Sequence, residues 1–367
     1  MKFCFVFVCQ QGELEIKSML LAASLRENLR GDYELVAAIP KPKSHWGKIS
    51  ELTKKIIKQL DIRVENIENE IDINYPIGNK VSCFNIKTDA DKIVFVDSDI
   101  VCMRPFLSEE HFTEQFCAKP VDQHWFNEWR HIYELFNLPY PTERFHTTIN
   151  KETILPYFNA GLIVADNDIN FSEEWIKCCK IIDSAKHITD KRPWLDQIAL
   201  PIVLKKKNLK YKILNNKYNY PLHELKSIPS DLPFFCHYHY SHIISQNKKL
   251  LKYLKILIKK YPDLKKYGKT FPEWQELLCS NPITKAKIRI KIYLKRIYLK
   301  AKYLIEESYL KFYSKKDISN RKNAIITGIP RSGTSYLSKL LHSQENTIVI
   351  NEPKEIIHAV MIMTKEW

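Results

Sequence analysis

Lys92-Ile93-Val94-Phe95-Val96-Asp97-Ser98-Asp99-Ile100-Val101-Cys102-Met103-Arg104-Pro105-Phe106 decides how the rest of the chain is read. Four apolar residues, each β-branched or aromatic, run into two carboxylates, and apolar character resumes with Ile100 and Val101. That pattern predicts a strand buried on both faces and ending at a site. In an extended segment residues two apart point to the same side, so Asp97 and Asp99 are expected to face one ligand while Ser98 faces away. Two converging hard oxygen donors suit Mn2+ or Mg2+, and such an ion grips a diphosphate. A plain turn after the strand is the competing reading; the apolar pair that follows at once argues against it.

Upstream, residues 3–9 read as a first buried strand. A helix follows Gln10-Gln11-Gly12, with Ile16, Met19, Leu20 and Ala23 on one face and Gly31 as its stop. Tyr33 to Ile39 gives a second strand, Ile49, Leu52, Ile56 and Leu60 a second amphipathic helix, and Ile62 to Val64 the start of a third strand. This alternation implies an α/β fold with a mostly parallel sheet covered on both faces, and such sheets bind ligands at the carboxyl ends of their strands. Asp97 and Asp99 sit at such an end.

Downstream, the segment 120–156 is rich in aromatic and polar residues (His124, Trp125, Phe126, Trp129, Arg130, His131, Tyr133, Phe136, Tyr140, Phe145 and His146 among them) and carries only one short helix. Two readings stay open: the rings line a sugar site, or they pack an excursion onto the sheet. Tyr157-Phe158-Asn159-Ala160-Gly161-Leu162-Ile163-Val164-Ala165 returns to strand, where Gly161 lets a ligand or another backbone come close. Trp194-Leu195-Asp196-Gln197 puts a carboxylate and an amide at the head of an apolar helix, as site residues or, for Asp196, as a helix start. His237, His239 and His242 fall within six residues of a β-prone stretch. On one face of a strand, either His237 or His239 reaches a metal held by Asp97 and Asp99.

The chain has 367 residues, 45% of them hydrophobic, enough for one large core and something more. Its nine cysteines show no CxxC and fit reduced core thiols better than a disulfide framework or a zinc site. No run approaches the length of a membrane-spanning helix, and the start is too short and β-like for a signal peptide, so a cytoplasmic protein is the default expectation. The net charge is +15, and eleven Lys or Arg between Lys285 and Lys316, against Glu306 and Glu307, supply +9 of it. The mildly basic remainder argues against nucleic acid as a partner.

Taken in order, the DSD after its strand, FNAGLIV at 158–164, LDQ at 195–197 and the late His-rich strand at 237–242 resemble the successive signatures of GT-A-fold glycosyltransferases, most closely the family 8 type. The resemblance covers residues 1 to about 270. It implies a Rossmann-like mixed sheet with helices on both faces, and retaining transfer from a nucleotide-diphosphate sugar, a UDP-sugar first, to a glycan or lipid-linked glycan acceptor. It also implies Mn2+ (or Mg2+) held by Asp97, Asp99 and one of His237 or His239. Asn159, Asp196 and Gln197 would lie near the donor sugar, and Lys80 occupies a position where such enzymes keep a basic residue for the phosphates. The chain departs from the family after its late histidine, where Ser241-His242-Ile243-Ile244 stands in place of a glycine and a Lys-Pro-Trp element. A non-catalytic glycan- or partner-binding module on the same fold is the alternative.

Residues 283–312 alternate Lys or Arg with Ile, Leu and Tyr, and Ile290, Leu294, Ile297, Ala301 and Leu304 recur at helical spacing. This basic amphipathic helix either lies on anionic lipid as a peripheral contact or packs as a linker. Next, Gly328-Ile329-Pro330-Arg331-Ser332-Gly333-Thr334-Ser335 nearly matches a Walker A loop, with Thr334 where the lysine belongs. It resembles instead the 5'-phosphosulfate loop of sulfotransferases, an incomplete P-loop-like α/β segment, with Asn351-Glu352-Pro353 resembling that family's continuation. Through Arg331, Ser332, Gly333, Thr334 and Ser335 such a loop binds 3'-phosphoadenosine 5'-phosphosulfate, here expected only of a longer, bifunctional form. The expected domains are 1–275, a helical linker 276–322, and 323–367.

Overall fold

The computed structural model describes residues 1–278, separate helical positions between residues 286 and 298, and the strands Lys322–Thr327, Thr347–Asn351 and Ala359–Thr364. Two compact units result, Met1–Ser280 and Asn281–Trp367.

The first unit is built on a seven-stranded sheet in the order Tyr211–Ile213, Phe116–Pro120, Phe158–Asp166, Lys92–Val96, Lys2–Val8, Asp32–Lys41 and Arg63–Glu68. Every neighbouring pair is parallel except those made by Phe158–Asp166, which runs antiparallel to both of its partners. The expected sheet is thus mixed through one strand. Burial on both faces is plain in Lys2–Val8: Phe3, Phe5 and Phe7 enter one core and Cys4 and Val6 the other, as the two-residue period of a strand requires. Each fully buried Phe there contributes about 2–3 kcal/mol by the area it removes from water. Lys92–Val96 divides likewise, Val94 and Val96 to the first core and Ile93 and Phe95 to the second.

The helix after the first strand spans Glu13–Asn28 and is buried from Glu15 through Leu25, not along a single face as the spacing led us to expect. It is covered from outside as well: Asn28 Nδ2 donates to Tyr253 Oη at 2.6 Å, on the helix Lys248–Lys260, which presents Leu250, Leu254, Leu257 and Ile258 to the same core. Gly31, with φ of +84°, is the turn into the second strand and lies three residues past the helix end. The helix Glu51–Gln59 begins at Ser50, whose Oγ accepts from the Thr53 amide at 3.2 Å. The eight described cysteines are free and buried.

A second sheet aligns Tyr220–Pro221, Phe235–His237 and Ile100–Cys102, with His237 paired to Ile100. That register puts His237 beside Asp99. In the second unit Ala359–Thr364 lies between Lys322–Thr327 and Thr347–Asn351, antiparallel to both. Residues 331–335 and most of 283–312 lie outside the described residues. Among the described residues no helix is long and apolar enough to cross a membrane.

Candidate active site

The chain does not stay extended past Val96. The Ile100 amide donates back to the Asp97 carbonyl at 3.0 Å, and Ser98 Oγ donates to the Val8 carbonyl at 2.6 Å. This turn replaces the extended placement expected of Asp97 and Asp99, and its cause is topological: Lys92–Val96 belongs to the large sheet and Ile100–Cys102 to the second one. The two carboxylates still line one cleft, though they meet different partners.

The cleft holds about 510 Å³ at the carboxyl ends of Lys2–Val8 and Lys92–Val96. Lys80, Asp97, Asp99, Asn159, Asp196, Gln197, His237 and His239 all line it, so the eight residues singled out in the first domain converge.

Lys80 stands 3.2 Å from Asp97 and 3.5 Å from Asp196. Burial works against its charge, and the Asp97 and Asp196 carboxylates outweigh it, so its pKa is raised and the ammonium keeps its proton. Burial in turn raises both carboxyls against the pull of Lys80. Asp196 lies in the first turn of the helix Leu195–Lys207 but caps nothing with its side chain: Oδ1 lies 3.2 Å from Tyr75 Oη, and Oδ2 faces Lys80.

Asp99 faces the imidazoles. His237 Nε2 lies 2.8 Å from Asp99 Oδ1 and His239 Nδ1 3.9 Å from Oδ2, and the two rings stack with centroids 3.7 Å apart. Burial opposes the Asp99 charge, and His237, with His239 and Lys17 behind it, holds the carboxyl well below the usual range all the same. Burial and the His237 ring push the His239 pKa down to about 2 and leave that imidazole neutral, the form that ligates a metal. His239 sits at φ of +55°, and Lys17 Nζ donates to its carbonyl at 2.8 Å. One ligand atom each from Asp99, His237 and His239 fall within 4.8 Å of one another, a set fit for one cation; Asp97 is not part of it. His242 does not line the cleft, and its ring stacks on Tyr240.

The rings of the segment 120–156 do not share one environment. Phe126, Trp129, Tyr133 and Phe145 are buried in the second core, whereas Trp125 is 60% exposed at the cleft. Gly161 does let something close in, and that something is side chain: a Cβ there would stand 2.5 Å from Asn219 Nδ2, 3.1 Å from Asn159 Oδ1 and 3.2 Å from His237 Nδ1.

Sequence reasoning missed Asp122, Asn219, His223 and Lys17. Asp122 had a signal, a carboxylate just past the strand Phe116–Pro120, the same mark that singles out Asp97. Asn219 and His223 had none, since only the pairing of Tyr220–Pro221 with Cys236 and His237 brings His223 to the cleft and buried Asn219 against the His237 ring. The cleft lining carries the carboxylates Asp97, Asp99, Asp122, Asp196 and Glu224 with Lys80 and the imidazoles of His223, His237 and His239, a set suited to a cation and to an anion bound through it.

No curated protein matches the chain. Residues 5–208, which contain the turn at Asp97, the strand Phe158–Asp166 and Asp196, match the family described as Rhodobacterales glycosyltransferase domain, and the chain belongs to that family.

Proposed function

We propose that this glycosyltransferase moves a sugar from a nucleotide-diphosphate donor, a UDP-sugar in the first instance, to a hydroxyl of a glycan or lipid-linked glycan, with a divalent ion on the donor diphosphate, in a GT-A-type fold like that of family 8. The observation that carries this is the group Asp99, His237 and His239, with ligand atoms within 4.8 Å, in the same cleft as Lys80, Asn159, Asp196 and Gln197. One carboxylate and two imidazoles suit Mn2+ better than Mg2+, which prefers oxygen donors alone. Asp97, engaged by Lys80, is the remaining donor on that side. A divalent ion held by these residues would neutralise charge on the departing diphosphate.

The chain's own groups do the rest. Lys80 presents a fixed positive charge to the phosphates, and Asp196 holds it in place. Gln197 offers an amide to the donor sugar, and Trp125 a ring face to the acceptor. The anomeric carbon loses its bond to the diphosphate oxygen and gains one to the acceptor oxygen on the same face, and the acceptor proton passes to a diphosphate oxygen.

The test is release of free nucleotide from a panel of nucleotide sugars with Mn2+. Release that EDTA abolishes and Asp99→Asn lowers at least a hundredfold is expected. No release with any donor, together with glycan binding that Asp99→Asn leaves intact, would favour the binding module.

A further inference from the structure

Behind His237 runs a chain of side-chain hydrogen bonds whose direction is fixed at its far end. Lys119, 1% exposed, donates to three acceptors: Asp122 Oδ1 at 2.5 Å, the Asn219 carbonyl at 2.8 Å and Asn216 Oδ1 at 3.2 Å. Each of the three acceptors takes one Nζ proton, against a burial that lowers the Lys119 pKa, and Thr148 Oγ1 donates to the same Asp122 oxygen at 2.6 Å. The other Asp122 oxygen can only accept, so Asn159 must turn Nδ2 toward it, at 3.2 Å. Asn159 Oδ1 then faces the Gly161 amide at 2.8 Å, a fixed donor that demands the same orientation. The same oxygen takes Asn219 Nδ2 at 2.8 Å, which leaves Asn219 Oδ1 facing His237 Nδ1 at 3.1 Å. An amide oxygen only accepts, so Nδ1 of His237 carries a proton whatever Nε2 carries, and Nε2 is the nitrogen turned to Asp99 and the cleft.

We propose that Asp122, Asn159 and Asn219 are positioning residues that lock His237 with Nδ1 protonated and Nε2 presented to the cation site. This rests on the proposed metal site and deepens it. It also gives Asn159 a task besides contact with the donor sugar, because its amide oxygen and one of its two Nδ2 protons are engaged within the protein. Partners that fix a ligating imidazole in this way are worth about 10- to 100-fold in metal affinity.

The experiment uses the full chain with 15N-labelled histidine and 113Cd2+ as the probe, read by long-range 1H–15N spectra and by titration of Cd2+ binding. In the wild type, cadmium coupling on His237 Nε2 and a slowly exchanging proton on Nδ1 are expected. Asn219→Leu, close to isosteric, should speed exchange of that proton and weaken Cd2+ binding at least tenfold, while Asn219→Asp, which keeps an acceptor, should recover part of the affinity. Asp122→Asn, three links from the ring, should act in the same direction with a smaller loss, and it serves if Asn219→Leu does not fold. Coupling on Nδ1, or Asn219→Leu and Asp122→Asn both binding Cd2+ as tightly as the wild type, overturns the proposal. Absence of any cadmium coupling to His237 counts against the metal site itself. The Nδ1 proton then still decides the positioning claim, which stands if the proton is lost in Asn219→Leu and falls if exchange is unchanged.

Discussion

The ammonium of Lys80 lies 3.2 Å from the Asp97 carboxylate, inside the cleft and nearly out of solvent, and Asp196 shares the same ammonium at 3.5 Å. One cation therefore balances two carboxylates that burial makes reluctant to ionise. Lys80→Met leaves both without a counter-charge, and breaking a buried pair from one side costs about 3–5 kcal/mol. Urea unfolding at pH 7 should show a loss of that size. Because the folded variant takes up protons on these carboxyls more readily than the unfolded chain, its deficit should shrink as the pH is lowered. A deficit below about 1 kcal/mol at every pH would show that the pair does not act as one buried unit.

Arg63 and Glu34 join the neighbouring strands Arg63–Glu68 and Asp32–Lys41 through two parallel bonds, Nε to Oε2 at 2.9 Å and Nη2 to Oε1 at 3.1 Å. Burial opposes the Glu34 charge, but Arg63 and the Thr88 hydroxyl more than offset it and lower its pKa from the usual 4.5. A carboxyl lowered in the folded state stabilises the protein above its unfolded pKa, and that contribution is lost as pH falls through the folded value. Glu34→Gln should therefore cost about 1 kcal/mol at pH 7, and wild type and variant should converge below pH 4. Equal differences at pH 7 and pH 3 in urea unfolding would contradict this.

These two pairs mark what the sequence alone conveys. The strand Lys92–Val96 is legible because all five residues are buried, so apolar character needs no alternation and the carboxylates that end it stand out. Asp97, Asp99, Asn159, Asp196, Gln197, His237 and His239 stand out as polar types at the ends of elements and Lys80 only through the family resemblance, and all eight line one cleft. What each faces is not legible. The turn at Asp97, which separates Asp97 from Asp99, arises because the next strand belongs to another sheet, and strand partnership is a long-range property. Asn219 reaches His237 through the same kind of pairing, with no local pattern to announce it.

Trp125 differs from its neighbours Phe126 and Trp129 in standing clear of the core. Trp125→Ala removes no buried contact, so stability should change by no more than about 0.5 kcal/mol. A ring face lost from the acceptor side should raise the acceptor KM about tenfold, equivalent to about 1.4 kcal/mol, with kcat and the donor KM little changed. Steady-state kinetics with both substrates varied checks this; a fall in kcat alone would place Trp125 at the reacting centre instead.

Of the basic stretch 283–312, the described positions are helical, and Ile290, Tyr293, Leu294, Ile297 and Tyr298 are exposed among them. Their spacing of three and four places them along one side of a helix, and in sequence Lys291, Lys295 and Arg296 interleave with them. Apolar side chains with cations between them match an anionic lipid surface, where each basic residue near the headgroups adds about 1 kcal/mol. We therefore expect the full chain to co-sediment with vesicles containing phosphatidylserine. Binding should fall steeply between 0.1 M and 1 M salt, as the screening length drops from about 10 Å to about 3 Å. Leu294→Asp with Ile297→Asp should abolish sedimentation and leave nucleotide release from the sugar donor, measured with a soluble acceptor, unchanged, because the substitutions lie outside the cleft residues. Sedimentation with neutral vesicles that ignores salt, or none with either kind, would count against lipid contact and favour a packing role for the stretch.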